Sequence, residues 1–229
     1  MEKKLLIFGS EGALGKGLTK TLLSKNYDEI FLFDHKYDSP SVQKRVKQIA
    51  IKDLSIEKNV EEAFGKINSS KNSSYFLFST IGAFFGGKSV WETDENDFDK
   101  MINMNLKTNF FIAKKFSELV ASSNSGSLCF TSAFTAIKPE SSKFAYGASK
   151  TALNNLVKTL SIEGQKIKLS VNAIAPYIID TPANREWMKN SNYSSWMKPE
   201  EIGELIYSLF ENYNFISGNI IELKERFDI

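Results

Sequence analysis

Apolar residues along this chain gather in short runs that alternate with longer stretches of helical spacing. Lys4–Gly9 is an apolar run ending in glycine, and Leu14–Ser24 then repeats its apolar positions every three or four residues. Glu29–Asp34 and Gln48–Asp53 predict a second and a third strand. Ile56–Asn68 is amphipathic, with Ile56, Val60, Ala63, Phe64 and Ile67 on one side. Ser74–Ser79 predicts a fourth strand, and Asp97–Ala121 a long helix with Phe98, Met101, Ile102, Asn105 and Leu106 at helical spacing. Ser127–Thr131 is a fifth strand candidate. Phe144–Glu163 predicts another long helix, closed by Gly164. Lys168–Ala175, stopped by Pro176, predicts a sixth strand, Pro199–Glu211 a helix with proline near its start, and Gly218–Leu223 a seventh strand.

Strands that alternate with helices need crossover connections, and those build a parallel sheet covered on both faces. The expected fold class is therefore α/β. We expect a single Rossmann-type doubly wound domain over residues 1–229, with a seven-stranded, mainly parallel sheet and helices on both faces. The polar segment Tyr177–Lys198, with Trp187 and Trp196 embedded in it, is long for a plain connection and is expected to be a lid.

Composition narrows the function classes. An apolar fraction of 42% supports a sizeable core, and 29 basic against 27 acidic residues, interspersed, leave no clustered basic face for nucleic acid. The run Lys44-Arg45-Val46-Lys47 reads as a solvated helix face and not as a phosphate site. A lone cysteine, Cys129, and a lone histidine, His35, rule out an intrachain disulfide and a His/Cys zinc site. Cys129 lies inside an apolar run and reads as a buried core residue, which suits a reducing, cytoplasmic setting. Met1–Phe8 reads as a first core strand and not a leader, because Glu11 and Lys16 interrupt the apolar stretch. No apolar run reaches the length of a membrane span, so no membrane partner is expected.

Chemistry-bearing residues collect at the carboxyl ends of the predicted strands. Gly9-Ser10-Glu11-Gly12-Ala13-Leu14-Gly15 falls between the first strand and the first helix. Glycines there permit a tight turn and a close approach of backbone to a pyrophosphate, and the helix N-terminus offers free N–H groups. Their spacing differs from G-x-G-x-x-G, so a purely structural turn is the other reading. Asp34 ends the second strand. A carboxylate there accepts ribose hydroxyls and repels a 2′-phosphate, which favours NAD(H); Lys36 beside it leaves NADP(H) open. Asp53 either lies near an adenine or caps the following helix.

Tyr146 and Lys150, four apart on a helix, share a face. A free phenol has a pKa of ~10, and a neighbouring ammonium favours the phenolate, so Lys150 is expected to lower Tyr146 into a useful range for proton transfer. Ser132, just past the fifth strand, is placed to donate a hydrogen bond to a substrate oxygen.

The glycine turn, Asp34, Asn105 in Met104-Asn105-Leu106, Ser132, Tyr146-x-x-x-Lys150 and Asn172-Ala173-Ile174-Ala175-Pro176 together resemble the short-chain dehydrogenase/reductase family over essentially the whole chain. The resemblance implies that Tyr146 transfers the proton, Lys150 binds the nicotinamide ribose, Ser132 orients the substrate and Asn105 maintains a proton relay. It implies a cofactor held by Gly9, Ser10, Gly12, Ala13, Leu14, Gly15, Asp34, Asp53, Leu54, Gly82, Lys150, Pro176 and Thr181. It also implies a homodimer or homotetramer built through the two long helices.

Within that family, several segments look like the NADH-using dihydropteridine reductase branch: Gly9–Gly15, Gly82–Gly87, Asp180–Arg185, Ser194-Ser195-Trp196 and the run from Ser217. That branch reduces quinonoid dihydropterins and typically lacks the serine. The presence of Ser132 keeps a ketone or alcohol oxidoreductase, including one like a 3-oxoacyl reductase, as the alternative. A non-catalytic nicotinamide-binding regulator is the third reading.

Overall fold

Alternation within the first strand decides which helices cover which face. In β1 (Glu2–Phe8), Leu6 and Phe8 point one way and Leu5 and Ile7 the other, and all four are fully buried. A strand buried on both sides must sit inside a sheet with helices on both faces. The computed structural model describes residues 1–38 and 41–227 and has that arrangement. Its further strands are β2 (Glu29–Asp34), β3 (Ser41–Gln43), β4 (Val46–Ala50), β5 (Ser73–Ser79), β6 (Ser125–Thr131), β7 (Leu169–Pro176) and β8 (Ile220–Leu223). The helices are α1 (Ala13–Leu22), α2 (Glu57–Phe64), α3 (Glu95–Met101), α4 (Thr108–Ala121), α5 (Phe144–Glu163), α6 (Pro182–Trp187) and α7 (Pro199–Glu211).

The sheet runs β3-β4-β2-β1-β5-β6-β7-β8, and every pairing is parallel except β3 with β4. Leu6, Phe8, Phe31 and Phe33 build one core with Val60 of α2, Ile112 and Phe116 of α4, and Leu153 and Val157 of α5. Leu5, Ile7, Phe76 and Phe78 build the other with Leu18 and Leu22 of α1 and Ile202, Ile206 and Phe210 of α7. Cys129 belongs to that second core. The chain leaves β1 toward β2 on one side and later returns to β5 on the other. A crevice therefore opens beyond the carboxyl ends of β1 and β5, where ligands of open parallel sheets bind. No helix among the described residues is long and apolar enough to cross a membrane.

Four expectations shift. The third parallel strand is Val46–Ala50, not 48–53, and Asp53 falls in the loop beyond it. There its carboxylate accepts the Ser55 N–H at 2.9 Å, a turn interaction that delays the next helix until Glu57. The run Lys44–Lys47 is not a helix face. It forms the β3–β4 turn and the start of β4, and Arg45 donates to the carbonyls of Leu23, Lys25 and Tyr27, tying that turn to the end of α1. An eighth strand, β3, adds one antiparallel edge that three residues are too few to announce. The long helix over Glu95–Ala121 is not regular: a π-helical segment, Ile102–Lys107, separates α3 from α4.

Candidate active site

The glycine turn is shaped by close approach. Gly9 follows β1 with φ at +81°, and a Cβ there would lie 2.3 Å from Thr80 Oγ1. A Cβ on Gly15 would lie 2.0 Å from the Gly9 carbonyl oxygen, so no side chain fits. Gly12 is different: a Cβ there would meet only the Gly9 carbonyl, at 3.4 Å, and otherwise faces open space. No side chain caps α1, whose first turn begins at Ala13, so the N–H groups of that turn are free for an anion. An open cradle at Gly12 below an uncapped helix end fits a diphosphate.

Asp34 is 3% exposed, and its carboxylate accepts the N–H groups of Glu11 at 2.8 Å and Lys36 at 3.0 Å. It therefore pins the glycine turn to the sheet while keeping further lone pairs. Ser10 Oγ lies 2.9 Å from the Tyr37 hydroxyl, which reaches Glu11 Oε1 at 3.3 Å. Two carboxylates thus flank this end of the crevice.

Tyr146 and Lys150 lie one turn apart on α5, in the cleft, with Lys150 only 3% exposed. Lys150 Nζ donates to the Thr131 carbonyl at 2.7 Å and sits 6.0 Å from the centre of the Tyr146 ring. Burial pushes the Lys150 ammonium down to about 7, and burial together with the charge of Glu140 pushes the Tyr146 phenol up to about 12. This reverses the expectation that Lys150 lowers Tyr146. Desolvation acts on both groups, and near neutral pH Lys150 carries only part of a charge.

Ser132 follows β6 directly, is 2% exposed and donates its hydroxyl to Asn154 Oδ1 at 2.6 Å. Asn105 is fully buried in the π-helical segment. It accepts the Ala83 N–H at 2.9 Å and donates to the Ala83 carbonyl at 2.9 Å and to Ser149 Oγ at 3.0 Å. Gly82 must be glycine, since a Cβ would lie 2.6 Å from Asn105 Oδ1 and 2.9 Å from Lys150 Nζ. Asn109, which the sequence did not single out, helps to hold this loop: it donates to the Ile81 carbonyl at 3.1 Å and accepts from Ser79 at 2.7 Å.

A cleft of about 670 Å³ has Leu14, Gly82, Ser132, Tyr146, Lys150 and Pro176 in its wall. Connecting segments complete it, the Gly82–Gly87 run and the segment expected to be a lid among them. Phe84 packs edge-on against Tyr146 at 5.0 Å and tilts against Trp187 of α6 at 5.5 Å. Glu140 accepts from the Thr135 hydroxyl and from Lys143, the latter at 2.8 Å. Partial burial pushes its carboxyl up, but those two donors outweigh burial and hold it below the usual carboxylate range. Trp196 is 1% exposed, packs on Tyr193 and is not part of this wall.

Of the sequence candidates, Gly9, Ser10, Gly12, Ala13, Gly15, Asp34, Asp53, Leu54, Asn105 and Thr181 lie outside this wall, and the loop residues Asp53, Leu54 and Thr181 among them have contacts of their own. Asp53 serves its own turn, Leu54 is buried in the core under α2, and Thr181 spends its hydroxyl accepting the Asn184 N–H at the start of α6.

Residues 3–192 match the family described as short chain dehydrogenase. A dihydropteridine reductase from Dictyostelium discoideum is 28% identical over 214 residues, which cover 93% of this chain and 89% of that protein. Among solved structures, ElxO with NADP bound has a TM-score of 0.82 at 22% identity over 97% of both chains. A 3-ketoacyl-(acyl-carrier-protein) reductase from Brucella melitensis complexed with NADH has a TM-score of 0.78 at 20% identity over 96% of both. At those identities the two structures speak for the fold.

Proposed function

The chain belongs to the short-chain dehydrogenase family, and from that premise we propose that it reduces a quinonoid dihydropterin with a reduced nicotinamide cofactor, NADH in preference to NADPH. The observation that carries the substrate reading is the aromatic wall of Phe84 and Trp187 set against Tyr146, a surface suited to a flat heterocycle. The similarity to a dihydropteridine reductase across nearly the whole chain supports it.

The cofactor would rest on Gly9, Ser10, Gly12, Ala13, Leu14 and Gly15. Asp34 would take ribose hydroxyls, Asp53 and Leu54 would lie nearest the adenine, and Gly82, Lys150, Pro176 and Thr181 would border the nicotinamide half. Bound there, the nicotinamide supplies a hydride. Tyr146 holds its proton at neutral pH, since burial raises its pKa, and releases it to the substrate as the hydride arrives. Lys150, taking up a proton near pH 7, compensates the phenolate left behind. Asn105 holds Ala83 and Ser149 and so fixes the cleft wall against which both side chains act. Glu11 and Asp34 disfavour a 2′-phosphate at the ribose. Residues Tyr177–Lys198, which carry Trp187, act as the lid. The exposed Phe110, Phe144 and Ile162 on the two long helices fit a homodimer or homotetramer, in a cytoplasmic setting.

The test is NADH oxidation followed by absorbance with quinonoid dihydropterin as acceptor. Saturable turnover, lost by about a thousandfold in Tyr146→Phe while NADH still binds, is the expected result. Protein that binds NADH but leaves the dihydropterin untouched would turn the reading to a carbonyl substrate, the alternative that the presence of Ser132 in the sequence keeps.

A further inference from the structure

Ser132 lines the cleft, and its hydroxyl is already engaged. Its Oγ lies 2.6 Å from Oδ1 of Asn154, which projects from α5 two turns beyond Tyr146. An amide oxygen carries no hydrogen, so an approach this short requires the Ser132 proton to lie between the two oxygens. A serine hydroxyl has one proton to give. Once it goes to Asn154, Ser132 faces the cleft with lone pairs alone. The backbone is fixed as well, since the Ser132 N–H donates to the Ile174 carbonyl at 2.7 Å and the residue is 2% exposed.

We propose that Asn154 is a positioning and specificity-determining residue: it draws the Ser132 proton away from the cleft and so selects substrates that present N–H groups over substrates that present only a carbonyl oxygen. A ketone oxygen brings lone pairs to a site that offers lone pairs, and the mismatch penalises it. A ring nitrogen bearing hydrogen finds an acceptor there. The inference rests on the hydride-transfer reading of this site, and it explains how a chain that carries Ser132 can still favour a pterin-like heterocycle. Discrimination of this kind comes from a hydrogen-bonding group that the wrong substrate leaves unpaired.

The experiment compares Asn154→Ala, Asn154→Leu and Asn154→Asp, the first also in a Ser132→Ala background. NADH oxidation is measured with two flat acceptors: quinonoid dihydropterin and phenanthrene-9,10-quinone, whose polar groups are carbonyls alone. The expected result is that Asn154→Ala and Asn154→Leu raise the ratio of kcat/KM for the quinone to that for the dihydropterin by about tenfold. Asn154→Asp keeps an acceptor beside Ser132 and should leave the ratio near its starting value, even if the apolar variants fail to fold. In the Ser132→Ala background the gain should vanish, because the effect runs through that hydroxyl. An amide turned the other way would donate from Nδ2 and free the serine proton. Asn154→Ala would then lower quinone turnover, and that result overturns the proposal. So does an unchanged ratio, an equal gain without Ser132, or an Asn154→Asp variant that behaves like Asn154→Ala. Wild-type protein inert with dihydropterin would sink the pterin reading instead, and the gain or loss of quinone turnover would still decide this one.

Discussion

Replacing Lys150 with methionine should stabilise the protein at neutral pH while removing its activity. The ammonium is buried against the Thr131 carbonyl, and burial lowers its pKa from the ordinary 10.5 to about 7. In the unfolded chain the lysine keeps its proton up to its ordinary value. Between pH 7 and 10.5 the unfolded state therefore binds more protons than the folded state, and stability rises with pH. Below pH 7 both states are protonated and the full cost of burial is present. At about 1.4 kcal/mol per unit, that cost is about 4 kcal/mol at pH 7 and falls by about 3 kcal/mol by pH 9.5. Methionine removes it but leaves the Thr131 carbonyl without its donor, which costs about 1–2 kcal/mol. The net gain at pH 7 is about 2–3 kcal/mol, or about 5 °C in Tm for a chain of this size. Thermal unfolding of both proteins by circular dichroism, stepped from pH 7 to 9.5, reads the difference directly. It should shrink to about zero or slightly below across that window. A Tm difference that does not change with pH would show that Lys150 keeps an ordinary pKa, and would refute the desolvation argument.

Three other substitutions probe other parts of the molecule. Gly12→Ala should fold with Tm within about 2 °C of the original, since its backbone at φ −69°, ψ 165° suits alanine; by filling the cradle, it should weaken NADH binding by about tenfold in a titration followed by cofactor fluorescence. Arg45→Ala should lower stability to denaturant by about 2–3 kcal/mol, because the Leu23, Lys25 and Tyr27 carbonyls lose a charged donor; a loss under 0.5 kcal/mol would mean that water replaces it freely. Glu140→Gln removes the negative charge that helps to raise Tyr146, so the phenol should ionise at lower pH and the basic limb of the rate profile should move down; an unmoved limb would separate Glu140 from the proton donor.

What the sequence discloses depends on whether a signal is local. The boundaries of α5 and α7 could be read from Phe144 to Gly164 and from Pro199, because helix starts and stops are written in a few adjacent residues. The face shared by Tyr146 and Lys150 follows from helix geometry alone. The ends of β4 were misjudged because the Asp53 turn interaction competes with strand spacing. Glu140 and Lys143 entered the cleft wall unannounced, since each sits in a loop and owes its place to the packing of distant segments. The reversed proton affinities of Tyr146 and Lys150 were illegible for a related reason: spacing tells which groups are neighbours, whereas desolvation depends on everything that covers them.

The π-helical segment gives the first long helix a phase slip. One residue beyond the α-helical count turns everything after it by about 100° relative to everything before it. The face that α3 turns to solvent is therefore not continuous with the face that α4 turns to solvent. Asn105 lies within the slip, and its amide meets Ala83 and Ser149 together because of that offset. Deleting a single residue between Ile102 and Lys107 would restore a regular helix and turn Asn105 relative to one of its two flanking helices. In this stretch the chain carries its information in residue count as much as in residue type, so an alignment that closes a one-residue gap here would misplace every side chain on one side of it.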